Sequence, residues 1–239
     1  MPFKFGLGQV VALLLAPFAL LVLAVLYAVV VPLHGRPFIF ASERMRGPNK
    51  SFHLYKIRTL HPPEPASEET VLCGTQARRV TPVGKFLRRT RLDELPQIFN
   101  VLKGDMRFVG PRPPLRRYVE AYPELYAEIL KDTPPGITGL ATVMVHRREE
   151  RLLSLCNDPI EADRIYRTYC IPLKARLDLI YRDNRSFSLN ALVLYRTLSR
   201  LPSLSHPSAW GRRSETRRTL SLATGIAPST LPSDRREAA

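Results

Sequence analysis

Two adjacent carboxylates, Asp93 and Glu94, stand before Leu95-Pro96 in the motif-dense stretch TPVGKFLRRTRLDELPQIFNVLKGDMRFVGPRP, residues 81–113. Leu95, Ile98, Phe99 and Leu102 follow at i, i+3, i+4 and i+7, one stripe of an amphipathic helix, and Gly104 stands where such a helix ends. Pro96 suits a first turn, where its missing N–H breaks no hydrogen bond. The pair is thereby placed at a helix start, where free amides and the helix dipole favour ionised carboxylates. By type alone this is a good capping arrangement. The cations nearby widen its chemistry. Arg88 lies five residues earlier, and Arg112 is set in Gly110-Pro111-Arg112-Pro113, where prolines fix the backbone on both sides and preset the guanidinium. Taken singly, each arginine reads as surface charge; taken with an anionic ligand, each is a contact.

An anionic ligand is what the whole composition favours. Lys and Arg number 36 against 21 Asp and Glu, a net charge of +15 and a pI near 10.3. Such an excess suits nucleic acid, anionic lipid headgroups or a phosphorylated substrate. Cys73, Cys156 and Cys170 stand far apart without a CxxC pair, which reads as three reduced thiols in a cytosolic environment. The five histidines show no metal-ligand spacing.

The elements that must position these residues begin with an apolar run, FGLGQVVALLLAPFALLVLAVLYAVVVPL, from Phe5 to Leu33 without a charge. It is too long for a signal peptide core and no cleavage pattern follows it, so residues 1–35 read as a membrane anchor. As one helix it would be about 43 Å long, ample for a bilayer. Pro17 predicts a kink or break, leaving halves of about 18 and 25 Å, neither able to cross alone. A tilted span and a re-entrant hairpin both satisfy the physics. Arg36, Arg44, Arg46, Lys50, Lys56 and Arg58 crowd the downstream side, which should be cytoplasmic.

Residues 36–200 read as the soluble catalytic domain. A strand, a Gly-Pro-Asn turn and a second strand are expected over 36–60, then a Pro-rich acidic loop, HPPEPASEET. Pro134-Pro135-Gly136-Ile137-Thr138-Gly139 is a second rigid turn, and residues 177–198 mix apolar and basic residues as an interfacial helix does. From residue 201 to 239, Ser, Pro, Thr and Arg dominate without periodicity, which predicts a disordered tail.

These segments together resemble the bacterial sugar transferase family, the monotopic polyprenyl-phosphate phosphoglycosyl transferases, over residues 1 to about 200. The resemblance rests on Arg36-Pro37 with Tyr55-Lys56-Ile57-Arg58, on Gly84-Lys85-Phe86-Leu87-Arg88, and on Leu92-Asp93-Glu94-Leu95-Pro96-Gln97. It continues through Asn100 to Met106, Val109-Gly110-Pro111-Arg112-Pro113, Pro135 to Ala141, and Asp178, Tyr181, Asn184 and Ser186. Seven ordered motifs make the likeness specific where any one would be weak.

The resemblance implies an α+β fold: an N-terminal re-entrant membrane helix-hairpin broken at Pro17, and a mostly helical cytoplasmic domain with a short β-hairpin and interfacial amphipathic helices. It implies Asp93 as nucleophile on the sugar-linked phosphate of a UDP-sugar, releasing UMP, and transfer of the phosphosugar to polyprenyl phosphate. Glu94 would assist as base or metal ligand, with Mg²⁺ held by Asp93 and Glu94. Lys56, Arg58, Arg88, Pro111, Arg112 and Pro113 would line the substrate site. The physics agrees, because a diphosphate repels a carboxylate unless cations neutralise it. Membrane lipids are the further partner, and the inner membrane's cytoplasmic face the location. The short N-terminus points to the small-enzyme subgroup. Ala16, Arg91 and Thr142 depart from the family's usual residues. The competing reading, a membrane-tethered basic nucleic-acid-binding protein without catalysis, lacks zinc spacing, a helix-turn-helix signal or basic–aromatic strands, so no nucleic acid partner is expected.

Overall fold

A computed structural model describes residues 6–61, 80–156 and 158–199. The acidic loop after His61, Cys73 and the tail from residue 201 lie outside the described residues.

Helix α1 spans Leu7–His34 and runs through Pro17 and Pro32 without interruption. This corrects the expected break at Pro17 into two helices. A proline removes one donor, and the rest of the ladder survives when a neighbouring surface holds the turn. Here Ala12, Ala16 and Ala19 are buried on both sides of the proline. Ala12 and Ala19 pack with Phe52, Leu54, Ile98, Val101 and Met106, while Leu23 and Val30 pack with Ile57 and Leu87. Both ends are tied down as well. Gln9 Nε2 donates to the Leu102 carbonyl at 3.2 Å, and Arg58 donates to the carbonyls of His34 and Gly35 at 2.6 and 2.9 Å. Helix α1 and the rest of the described chain therefore share one core. The opposite face of α1 is bare, with Leu7, Leu14, Phe18, Leu21 and Leu33 all well exposed.

The expected hairpin is present: β1 (Ile39–Gly47) pairs antiparallel with β2 (Lys50–Ile57), with Phe40 opposite Lys56. The outer edge of β2 would leave its amides open. Asn100, fully buried, closes it: the Tyr55 amide donates to Asn100 Oδ1 at 3.1 Å, and Asn100 Nδ2 donates to the His53 carbonyl at 2.7 Å. One side-chain amide thus replaces a strand and sets the height of β2 against the segment carrying the carboxylates.

Helix α2 (Pro82–Thr90) is capped by Thr81, whose hydroxyl accepts from the Gly84 amide at 2.9 Å. The single amphipathic helix expected after Asp93 is instead a 3₁₀ helix, Leu92–Gln97, followed by the short α3, Ile98–Leu102. Proline at 96 leaves no donor for the α ladder, and the tighter winding accommodates it.

Strands β3 (Arg107–Val109) and β4 (Gly136–Thr138) pair in parallel, with α4 (Arg116–Ala121) and α5 (Pro123–Ile129) in the crossover. A methyl on Gly110 would sit 2.5 Å from the Pro134 carbonyl oxygen, so backbone meets backbone where the Pro111-Arg112-Pro113 loop begins. Beyond lie α6 (Leu140–Ser154), α7 (Pro159–Ile165), a π-helical turn at Tyr166–Cys170, α8 (Ile171–Asp183) and α9 (Phe187–Ser199). The expected interfacial helix is therefore two helices. Ser186 separates them, its hydroxyl accepting from the Leu189 amide at 3.2 Å. Tyr181 is buried and donates to the Val109 carbonyl at 3.2 Å, pinning α8 to β3. Cys156 and Cys170 are buried, and the Cys156 thiol donates to the Leu152 carbonyl at 3.5 Å.

Candidate active site

The reversal from α2 into the 3₁₀ helix turns on Arg91, which takes the left-handed conformation at φ +61°. That turn points the next residues inward, and Asp93 and Glu94 are only 7% and 8% exposed. Two adjacent buried carboxylates demand compensation. Glu94 receives it from three elements. Lys56 Nζ from β2 lies 3.0 Å from Oε1, Arg112 Nη2 from the proline-framed loop 3.2 Å from Oε1, and Arg91 Nη1 3.2 Å from Oε2.

The two carboxylates consequently differ. Burial alone would raise Glu94, but Lys56, Arg112 and Arg91 outweigh it and hold the carboxyl far below the usual range. Burial pushes Lys56 down against the pull of Glu94, whereas Glu94 raises Arg112. Asp93 has no ion pair among the described residues, and burial raises its carboxyl, with Lys56, Arg88 and Arg91 acting in the opposite direction from a distance. One carboxylate is locked as a counter-ion; its neighbour is desolvated with its oxygens open. Desolvated anions react more readily with a phosphorus centre once cations screen the approach.

Of the residues named from sequence, Asp93, Glu94, Lys56 and Arg112 come together directly. Arg88, in the last turn of α2, donates to Thr59 Oγ1 at 2.9 Å and lies within electrostatic reach of Asp93. Pro111 and Pro113 act through the backbone: the Pro111 carbonyl accepts from the Gly136 amide at 2.8 Å, and the Pro113 carbonyl faces Arg44 Nη1 at 3.5 Å. Arg58 lies apart from the carboxylates, at the C-terminal end of α1, where the last carbonyls and the negative helix end attract a guanidinium.

Sequence reasoning missed three positions. Arg91 was noticed only as a departure, yet it is both the turn and an ion-pair partner of Glu94. His146 on α6 pairs with Glu150 at 3.4 Å and feels both Arg91 and Arg112; burial lowers its imidazole. Lys174 on α8 lies 3.1 Å from Glu149 and 3.0 Å from the Tyr166 hydroxyl, and Glu149 and Tyr166 in turn act on Arg112. The Glu150 spacing from His146, i to i+4, was the one legible signal for that wall. Asp178, one turn beyond Lys174, is buried and raised to about 7 by desolvation.

Among the described residues no group of three or more His, Cys, Asp or Glu could hold a metal unaided. Glu94 has its oxygens engaged by three cations, so it fits a divalent ion poorly. Asp93 has the open lone pairs and uncancelled charge that a magnesium ion shares with substrate phosphates.

The bacterial sugar transferase family model matches residues 3–203. Over 168 residues the chain is 34% identical to an Aeromonas hydrophila UDP-N-acetylgalactosamine-undecaprenyl-phosphate N-acetylgalactosaminephosphotransferase, covering 68% of this chain and 34% of that protein. A Klebsiella pneumoniae UDP-glucose:undecaprenyl-phosphate glucose-1-phosphate transferase is 41% identical over 133 residues, 54% of this chain and 28% of its own. An uncharacterized sugar transferase of Bacillus subtilis is 34% identical over 167 residues, 70% of this chain and 71% of its own. The chain thus spans about a third of the length of the first two relatives.

Proposed function

This chain belongs to the bacterial sugar transferase family, and from that premise we propose that it moves a sugar 1-phosphate from a UDP-sugar to polyprenyl phosphate at the cytoplasmic face of the inner membrane, initiating assembly of a bacterial glycan. The observation that carries the reading is the asymmetric pair: Asp93 buried with its oxygens open, beside Glu94 holding three cations.

In the first step an Asp93 carboxylate oxygen attacks the phosphorus that bears the sugar. The bond from that phosphorus to the bridging oxygen breaks, and UMP leaves with that oxygen. In the second step an oxygen of polyprenyl phosphate attacks the same phosphorus and Asp93 departs as a carboxylate, leaving a polyprenyl diphosphate sugar. Glu94 presents Lys56, Arg91 and Arg112 to the donor phosphates rather than taking a proton, since a carboxyl held so low is a weak base. Asp93 would be the residue to hold Mg²⁺, which when bound would supply neutralisation of phosphate charge. The two named relatives act on different sugars by their names, and the donor sugar of this chain is left to a screen. Purified chain with polyprenyl phosphate and a panel of UDP-sugars should release UMP from at least one; release from none overturns the reading.

The cations give a graded expectation. Arg88→Ala should lower kcat/KM by about a hundredfold, the typical effect of losing one charge-stabilising donor. Arg112→Ala should act mainly on donor binding and raise KM. Steady-state kinetics with both variants unchanged would leave those arginines as ordinary surface charge.

The anchor enters and leaves the bilayer by one face in this reading. Its support is that Gln9 and His34, at opposite ends of α1, both bond to the same domain. A cysteine at Lys4, read over the background of the native thiols, should then react with an impermeant reagent only once the inner membrane is opened. Labelling in intact spheroplasts means that the N-terminus lies outside.

A further inference from the structure

The imidazole of His34, the last residue of α1, joins two segments that meet again at Arg88. Its Nε2 lies 3.2 Å from the Leu60 carbonyl and its Nδ1 2.9 Å from Thr81 Oγ1. A carbonyl only accepts, so in the neutral ring Nε2 carries the hydrogen and Nδ1 offers a lone pair. The Thr81 hydroxyl then donates to Nδ1, the nearer of its two acceptors, the other being the Thr59 carbonyl at 3.4 Å. The same oxygen accepts from the Gly84 amide at 2.9 Å, so the atom that caps α2 is oriented by the ring.

Fastening α1 does not require this ring. Arg58 already holds that end through the His34 and Gly35 carbonyls. What the ring adds is a fixed register between the stretch just past β2 and the start of α2. Leu60 pairs with Val80, and the Thr81 amide donates to the Thr59 carbonyl at 3.2 Å. A methyl on Gly84 would sit 2.2 Å from that same carbonyl oxygen. Backbone packed this closely leaves α2 no slack, so a shift of its cap moves the whole helix.

The register is felt at the other end of α2. Arg88 Nε donates to Thr59 Oγ1 at 2.9 Å, and Thr59 is buried. The two terminal nitrogens of that guanidinium make no hydrogen bond among the described residues, while its charge acts on Asp93. An arginine tethered at Nε and open at its fork is held in place without using the donors that grip a phosphate.

We propose that His34 is a positioning residue for the transfer: by orienting Thr81 and bridging to Leu60 it sets α2 against Thr59, and so sets where the Arg88 fork meets the donor phosphate. The inference rests on the transferase reading and adds to it a side chain of the apolar helix.

The test is a double-mutant cycle on the full purified chain, read as UMP release. His34→Phe keeps a ring and loses both bonds; it should lower kcat/KM for the donor about tenfold. His34→Gln, with a donor and an acceptor side by side, should restore most of that loss. In an Arg88→Ala background the Phe substitution should cost no more than about twofold, since the group it positions is gone. Equal losses in both backgrounds overturn the proposal, because the ring then acts on the fold at large. A Phe variant as active as wild type overturns it too, as does a Gln variant as poor as Phe. A second reading needs no donor: the arginine Nε–H resonance that Arg88→Lys removes should exchange with water about fivefold faster in His34→Phe than in wild type or His34→Gln. Unchanged exchange overturns the proposal as well. Should His34→Phe not fold, His34→Asn, too short to reach both partners, takes its place in the cycle. Wild-type chain that releases no UMP from any UDP-sugar sinks the transferase reading, and the exchange measurement then decides by itself whether His34 sets Arg88.

Discussion

Asp93→Asn should leave UMP release at least about a thousandfold below wild type, with no phosphosugar adduct on the chain, because an amide oxygen is no nucleophile toward a phosphate ester. The substitution preserves shape. It also removes a buried charge that pays desolvation without an ion pair, so the melting temperature should be unchanged or slightly higher. Loss of activity with retention of fold is the signature that separates a reacting group from a structural one. A peptide containing residue 93 should carry the phosphosugar mass in wild type treated with donor alone. Normal turnover by the Asn variant would sink the assignment. The pH profile follows from the same burial. The anion is required, and its carboxyl lies above the ordinary 3.8, so activity should fall on the acid side at a higher pH than an exposed aspartate would give.

Glu94→Gln should damage both activity and fold. Three cations converge on this one carboxylate, and replacing it by an amide leaves Lys56, Arg91 and Arg112 crowded without an anion. Breaking a buried ion cluster from one side costs on the order of 3 kcal/mol. In a chain of this size that corresponds to a drop in melting temperature of roughly 10 °C. Turnover should fall by about a hundredfold or more as the cations lose their common anchor. The sign in pH is fixed by the direction of the shift. Glu94 is held below its ordinary 4.5, so its stabilising contribution is complete above that value and is lost as pH falls beneath it. Asp93 acts oppositely, its raised carboxyl favouring the folded chain only while protonated. Calorimetry from pH 3 to 7 should show the acid-side loss in wild type and little of it in Glu94→Gln. Equal slopes in the two would mean that the cluster is not what holds Glu94 charged.

Much of the site was legible because its information is local. Asp93-Glu94, Lys56 and the Pro-framed Arg112 were each marked by a short motif, and the β-hairpin by Gly-Pro-Asn between two strand runs. What escaped depends on residues distant in the chain. The parallel pairing of Arg107 with Gly136 rests on three-residue strands and on glycines whose meaning is backbone contact. Arg91 stood out in the sequence only as a departure from the family's usual residue; its left-handed backbone and its pairing with Glu94 are not legible there. Arg58 shares a motif with Lys56, yet Lys56 reaches Glu94 while Arg58, just past the end of β2, reaches the end of α1, a parting that the motif does not spell out. The break expected at Pro17 was a sound reading of an isolated helix; packing on both sides of the proline was not visible in it.

That packing makes the anchor something other than a tether. A tether can be exchanged for any apolar segment, or trimmed to release a soluble domain. Here Ala12 and Ala19 cover Phe52, Leu54, Ile98 and Met106, and Leu23 and Val30 cover Ile57 and Leu87. Removing α1 would uncover the floor on which the 3₁₀ helix of Asp93 and Glu94 rests, and the exposed apolar trough would invite self-association. The small alanines also leave no room for a bulkier foreign helix. In the proposed reading, the segment that meets lipid and the floor beneath Asp93 and Glu94 are inherited together, so variation in one is constrained by the other.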